Sequence, residues 1–280
     1  TLSLRARNAR LRGKNDLAKN LYEEKLGRSP DDLDTMESLA ALAITEGDYA
    51  KARAMYEAVL EYAPFRSGTH IALADLLAQT GKPEDARARV RASLELVPQN
   101  MRLREIGEKV GVADPLMAER ADGDAAREAY RAGELDYPGA PEVLVLDRDV
   151  AEIYPGGGQR HLIHQIVELR SKEALDRYGE FVPPPGASLL TLQTIKPDGT
   201  VLEPELVPGK DGASLRNLEI GDFVEMEYML ENDPNGMLPG YVDLTTFRFQ
   251  DLQTPYHYSE LVVLHPQGMD VRIENRNEAP

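Results

Sequence analysis

The sequence predicts a multidomain chain of the α-plus-β class: an α-helical repeat array in the first half and an antiparallel β-sandwich in the second. Three observations predict it. One outline of residue types returns every 34 residues through the first hundred positions. Near DYPGAP, residues 136–141, the apolar spacing changes from helical to alternating. The charge balance changes there too: residues 1–140 hold 24 acids and 21 bases, residues 141–280 hold 24 acids and 11 bases, so the net charge of −16 divides as −3 and −13. With 42% hydrophobic and 29% charged residues in 280, the composition is that of folded globular material.

The helical half is read from three segments in register. RGKNDLAKNLYEEKLGRSP (12–30), EGDYAKARAMYEAVLEYAP (46–64) and TGKPEDARARVRASLELVP (80–98) superpose without gaps. Gly13, Gly47 and Gly81 coincide, as do Ala18, Ala52 and Ala86; Tyr22 and Tyr56 align with Val90, and Pro30, Pro64 and Pro98 close the units. Each type has a task. Glycine adopts the left-handed conformation that ends a helix. Alanine leaves room where two helices cross, and the residue four further on fills the space beside it. Proline stops the second helix because it lacks the donor for the next turn. A period of 34 with this Ala-x3-aromatic…Pro pattern resembles the tetratricopeptide repeat. Units are expected at about 1–32, 33–66 and 67–100, with capping helices over 101–133, where Gly107 takes the slot held by Leu39 and Leu73. The helical domain is thus expected to span 1–135 and the sandwich 136–280. The resemblance implies a concave groove lined by the first helix of each unit. The register places Arg7, Arg10, Glu37, Ala41, Ile71, Asp75 and Gln79 on it, facing a protein or peptide partner or only solvent.

In the second half EVLVLD, DVAEIYP, QRHLIHQIVELR, TLQTIK, TVLEPE, GDFVEMEYML, YVDLTTFRFQ, SELVVLHP and MDVRIEN read as strands, and SKEALDRYG (171–179) as a short helix. PGGG (155–158) and PDG (197–199) read as turns. In GDFVEMEYML, Val224, Met226, Tyr228 and Leu230 form the expected core face, leaving Phe223, Glu225, Glu227 and Met229 on the other. The succession LVLDRDVAEIYPGGGQRHLIHQIVEL, TIKPDGTVLEP and LRNLEIGDFVEMEYML resembles the domain of unknown function DUF3857 over residues 140–276. That resemblance implies an immunoglobulin-like sandwich, a position N-terminal to a transglutaminase-like domain, and a periplasmic or envelope location in a bacterium.

Candidate chemistry is sparse. Without cysteine there is no thiol nucleophile, disulfide or thiolate metal site. His161 and His164 would share a face on a helix but point apart on a strand, and the strand reading is favoured, so no metal is expected. His257 and His265 are read as surface or partly buried residues, and His70 as a packing residue. Asp31, Asp32 and Asp34 suit a helix N-terminus, and Glu231 with Asp233 a turn that lacks the ligand spacing of a calcium loop. Glu225 and Glu227 are read as a solvated pair rather than catalytic acids. No phosphate loop or serine elbow occurs, so no catalytic residue and no cofactor are expected. The acidic second half should repel nucleic acid, and no apolar run reaches the ~20 residues that a membrane helix needs. The chain opens on Thr1 without a signal-peptide pattern and is read as a piece of a longer protein. The expected role is a non-catalytic interaction or scaffold segment. The alternative is the regulatory or substrate-presenting part of a transglutaminase-like or cysteine-peptidase-like enzyme whose catalytic domain lies beyond residue 280.

Overall fold

The computed structural model describes residues 1–98, 100–206, 212–232, 242, 244, 246–272 and 274. The chain divides into two compact units, Thr1–Asp114 and Pro115–Pro280.

The first unit is built of helical pairs: α1 (Leu2–Leu11) with α2 (Asn15–Arg28), α3 (Leu33–Thr45) with α4 (Tyr49–Tyr62), and α5 (Ser67–Gln79) with α6 (Pro83–Leu96), followed by α7 (Met101–Val110). Gly13, Gly47 and Gly81 sit at the corners within the pairs with φ of 71°, 79° and 70°, the region an L side chain resists. Ala18, Ala52 and Ala86 are fully buried where the helices cross, and Tyr22, Tyr56 and Val90 are buried beside them. The N-cap positions follow the period, but only some are filled by a capping residue: Asp32 and Asn100 cap where Arg66 between them does not, and Asp48 caps where Lys14 and Lys82 do not. Asp32, Asp48 and Asn100 each accept the backbone N–H three residues on, at 2.8, 3.0 and 3.0 Å.

Register also explains the corners between pairs. His70 is buried at the start of α5; its Nε2–H donates to the Pro64 carbonyl at 2.6 Å, and its Nδ1 accepts from the Ser93 hydroxyl at 2.8 Å. Thirty-four residues later Arg104, also buried, donates to the Pro98 carbonyl through Nε at 3.1 Å and Nη2 at 2.8 Å. Thus α7 is placed as the leading helix of a further unit. Gly107 is needed in the leucine slot because a β-carbon there would press on Val90 Cγ1 at 3.2 Å and Val112 Cβ at 3.3 Å. Val112 reaches that place because Gly111, at φ 80°, turns the chain back.

The second unit begins with α8 (Pro115–Ala118) and α9 (Gly123–Ala132), then β1 (Glu142–Ile153), β2 (Gln159–Leu169), α10 (Lys172–Tyr178), β3 (Glu180–Phe181), β4 (Ser188–Ile195), β5 (Val201–Leu202), β6 (Glu205–Leu206), β7 (Ala213–Ser214), β8 (Phe223–Asn232) and β9 (Ser259–Leu264). A six-stranded sheet has the order β5-β4-β8-β2-β1-β9, and a small sheet the order β3-β7-β6. The expectation of an antiparallel architecture is corrected at one edge. β9 runs parallel to β1, with Asp147 opposite Ser259 and Glu152 opposite Leu264, so the large sheet is mixed.

Four further expectations change. EVLVLD and DVAEIYP are one strand, β1, bent by a bulge at Leu144/Leu146. Within YVDLTTFRFQ and MDVRIEN the described residues carry no strand, and the rest of both stretches lies outside the described residues. Glu231 belongs to β8 rather than to a turn, while Asp233 lies outside the described residues. The unit boundary falls at Asp114/Pro115 instead of 135/136, because α8 and α9 pack on the large sheet. Leu116 of α8 is buried with Val150, Leu162 and Met229. Ala121, Ala126 and Tyr130 pack on Val143, Ile166 and Phe223. The opposite sheet face, with Val167, Leu192, Val224 and Met226, is covered by Ala174 of α10 and by Phe181 and Ala213 of the small sheet. Both faces of β8 are therefore buried.

Candidate functional site

The register-based residues lie on α1, α3 and α5 in differing states. Arg7 and Arg10 are exposed on α1, as are Arg5 and Arg12, and among the described residues none of these four makes an ion pair. Gln79 is exposed and Ala41 half-buried. Ile71 packs on the cluster of Ala74, Val90, Leu103 and Ile106. Glu37 and Asp75 are engaged within the repeat. Glu37 receives Arg66 Nε at 2.9 Å and Nη2 at 2.8 Å, and the Thr69 hydroxyl as well. Asp75 faces Arg102 of α7 at 3.5 Å. Arg66 stands at the N-cap of α5, where its side chain cannot accept the helix N–H groups; it reaches back instead to Asp34 and Glu37 and ties α5 to α3.

In the second unit the sequence reading missed a polar layer between the large sheet and α8–α9. Glu225 and Glu227, expected on a solvated face, are buried. Glu225 accepts His164 Nε2 at 2.8 Å, Gln193 Nε2 at 2.8 Å and Arg127 Nη1 at 3.3 Å. Burial pushes its carboxyl up, but the hydrogen bonds from His164 and Gln193 and the nearby Arg127 guanidinium outweigh that and leave it below its ordinary value. Glu227 takes a forked contact from Arg120, through Nε at 2.8 Å and through Nη2, and accepts the Thr191 hydroxyl at 3.1 Å. Tyr130 donates to Glu168 at 2.7 Å, and the Arg131 guanidinium lies 5.0 Å from the centre of the Phe223 ring.

This layer holds charge more than it offers it. An ionised carboxylate with three donors keeps little basicity, and Glu227 is sealed beneath Arg120. Its geometry clamps α9 and the turn before it to the sheet. The signal available in the sequence was the set of bases at 127 and 131 in a short helix rich in alanine, with a third at 120 just before it, and a strand elsewhere that alternates acids with apolar residues. His161 and His164 do point to opposite faces of β2. His161 meets Asp149 at 3.0 Å, whereas His164 meets Glu225. His257 packs edge-on against Tyr130 with centroids 4.9 Å apart and contacts the Tyr137 hydroxyl at 3.1 Å, and burial holds its pKa below the ordinary value. His265 is exposed after β9. Among the described residues no group of three or more His, Cys, Asp or Glu is placed to hold a metal, and no helix is long and apolar enough to cross a membrane.

Comparison with known proteins bears on the helical unit. Residues 43–105 match the family model described as tetratricopeptide repeat. No curated protein matches the chain by sequence. Among solved structures, similar chains include the first tetratricopeptide domain of Spaghetti (RPAP3) bound to an HSP90 peptide, at 17% identity and TM-score 0.36, covering 39% of this chain and 86% of that one. The Yersinia enterocolitica type III secretion chaperone SycD, in complex with a peptide of the translocator YopD, is similar at 19% identity and TM-score 0.36, covering 39% and 88%. A tetratricopeptide repeat protein from Parabacteroides merdae is similar at 23% identity and TM-score 0.36, covering 39% and 44%. The chain contains a tetratricopeptide repeat region at residues 43–105.

Proposed function

We propose that the chain is a non-catalytic protein-interaction segment of a larger bacterial envelope protein, with the helical unit capturing an acidic protein or peptide. The observation that carries this reading is the state of the arginines. Arg53, Arg66, Arg87 and Arg102 are paired within the repeats, while Arg5, Arg7, Arg10 and Arg12 stand exposed on α1 without an ion pair among the described residues. An unneutralised cationic helix beside a repeat groove steers acidic segments toward it. Of the register residues, Arg7, Arg10, Ala41 and Gln79 are the ones open to a partner, with Glu37 and Asp75 serving as internal braces. The second unit is read as the DUF3857-like part of the same protein, with an immunoglobulin-like ancestry for its sheet.

The test uses a partner recovered on the immobilised chain and then titrated against it in solution. Arg7→Glu with Arg10→Glu should weaken binding by roughly ten-fold at low salt and far less at high salt, since screening already removes the exposed charge there. Unchanged affinity removes the stripe from the mechanism. A second reading follows from the resemblance of residues 140–276: this segment would regulate, or present substrate to, a transglutaminase-like or cysteine-peptidase-like domain beyond residue 280. The chain has no cysteine, so the thiol would have to come from that domain. The coding sequence after Pro280 tests it, and absence of a Cys, His and Asp set there defeats it.

A further inference from the structure

On the sheet face opposite α8 and α9 lies a cavity of about 450 Å³, within the size range of small-ligand sites. Its floor includes Gln165 and Met226 of the large sheet, and its walls carry three aromatic rings, Tyr178, Phe181 and Tyr256. The wall bearing Tyr256 is fixed to β1: the Leu144 N–H donates to the Pro255 carbonyl at 2.9 Å, and the His257 N–H to the Leu144 carbonyl at 2.8 Å.

The charge around this cavity is negative. Arg177 lines it, but donates to Glu142 and, at 3.0 Å, to Glu173. Glu142 is buried; its Oε1 also accepts the Thr254 hydroxyl at 3.1 Å, and its Oε2 has no partner. Beside Gln165, on the neighbouring strand, Asp147 is buried and accepts Gln165 Nε2 at 2.8 Å. Asp251 and Glu180 stand at the lining. The phenols register this field. Tyr178 is pushed up to about 12 by burial and then by Glu142, against Arg177. Tyr256 is raised by burial and then by Asp147 and Asp251, against Arg248. Among the described residues, the carboxylates of Glu142, Asp147 and Asp251 thus outnumber the guanidinium groups of Arg177 and Arg248 that act on these rings, in a unit whose sequence holds 30 acids and 14 bases.

We propose that this cavity binds an organic cation with a short apolar stem, an alkylammonium or alkylguanidinium group. Aromatic faces attract a cation through their quadrupole, and the surplus carboxylates add to that attraction, while an anion meets repulsion from both. Met226, Phe181 and Val182 supply apolar surface for the stem. The reading is independent of the helical unit and its partner.

Calorimetric titration of the full chain with n-butylammonium chloride, n-butylguanidinium chloride, n-butanol and sodium butyrate tests it. Saturable one-to-one binding of at least one cation is expected, with butanol and butyrate weaker by about ten-fold or more, because only the stem is shared. Asp251→Asn keeps the acceptor that caps the turn at Gln253 and Thr254 and removes the charge, so it should weaken the cation by roughly three-fold. Val182→Lys, at an exposed lining position, places a competing ammonium at the mouth and should abolish binding. Thermal melting confirms that both variants fold. Acetyl-Gly-Lys-Gly-amide as competitor separates the sources: displacement of n-butylammonium points to a lysine side chain of a peptide, and no displacement to a free amine. Failure of both cations to bind, equal binding of butanol or butyrate, or full binding to Val182→Lys overturns the proposal.

Discussion

His70 donates its Nε2 proton to the Pro64 carbonyl at 2.6 Å, joining the leading helix of one unit to the proline that closed the unit before it. The ring has no spare polar atom, because Nδ1 accepts from Ser93 at 2.8 Å. His70→Leu should therefore destabilise the chain by about 1–3 kcal/mol, since it leaves both the carbonyl and the hydroxyl buried and unpaired. Ser93→Ala on its own should cost less. The double variant should fall short of the sum of the two, as expected for contacting residues, and chemical denaturation of all four forms checks this.

Gly123, at the first position of α9, lies directly against Glu225, and a β-carbon there would overlap the carboxylate oxygen. Gly123→Ala must move α9 or break the bonds that Glu225 makes to His164 and Arg127, at a cost of about 1–3 kcal/mol. Gly68, near the start of α5, is the control. A β-carbon there meets nothing within 4 Å, so Gly68→Ala should be neutral or stabilise by up to ~1 kcal/mol. A melt in which both changes behave alike would contradict the clamp.

Gly107→Leu restores the residue type that Leu39 and Leu73 set at this register, and should nevertheless destabilise by about 1–3 kcal/mol through overpacking against Val90 and Val112. Adding Val112→Gly should recover part of the loss; no recovery would show that Val112 is not the obstacle.

Acid should weaken the second unit through His257. Burial lowers its pKa from 6.5, so the unfolded chain takes up a proton first as pH falls. Stability is full above 6.5 and declines as pH drops through that value toward the lower folded one. His257→Phe keeps the edge contact with Tyr130 and should flatten this part of the stability–pH curve.

Asp32 acts in the opposite sense at lower pH. Hydrogen bonds from Lys25 and Thr35 hold its carboxyl down to about 2 from 3.8, so its contribution is present above 3.8 and lost as pH falls toward 2. Asp32→Ala should cost about 1 kcal/mol near neutrality through loss of the α3 cap, and should leave the acid limb flatter. Urea midpoints measured from pH 2 to pH 7 separate the two carboxyl- and imidazole-linked effects.

The sequence by itself determined the helical unit down to its corners. Gly13, Gly47 and Gly81, the buried alanines and the closing prolines act through backbone conformation and through neighbours three or four residues away, and such local terms are written in the residue types. The strand positions of β2, β4 and β8, the short helix α10 and the turn at Gly199 were legible for the same reason. Only the tertiary structure decided which faces were covered. Alternation in β8 separates two faces but does not say that α9 will bury Glu225 with Arg127, a residue 98 positions away. Nor does it say that β9 will join β1 in parallel, with Asp147 opposite Ser259 across a separation of 112 residues. Those outcomes depend on contacts between distant segments, whose partners are chosen by the collapsed chain as a whole and leave no periodic mark on either segment.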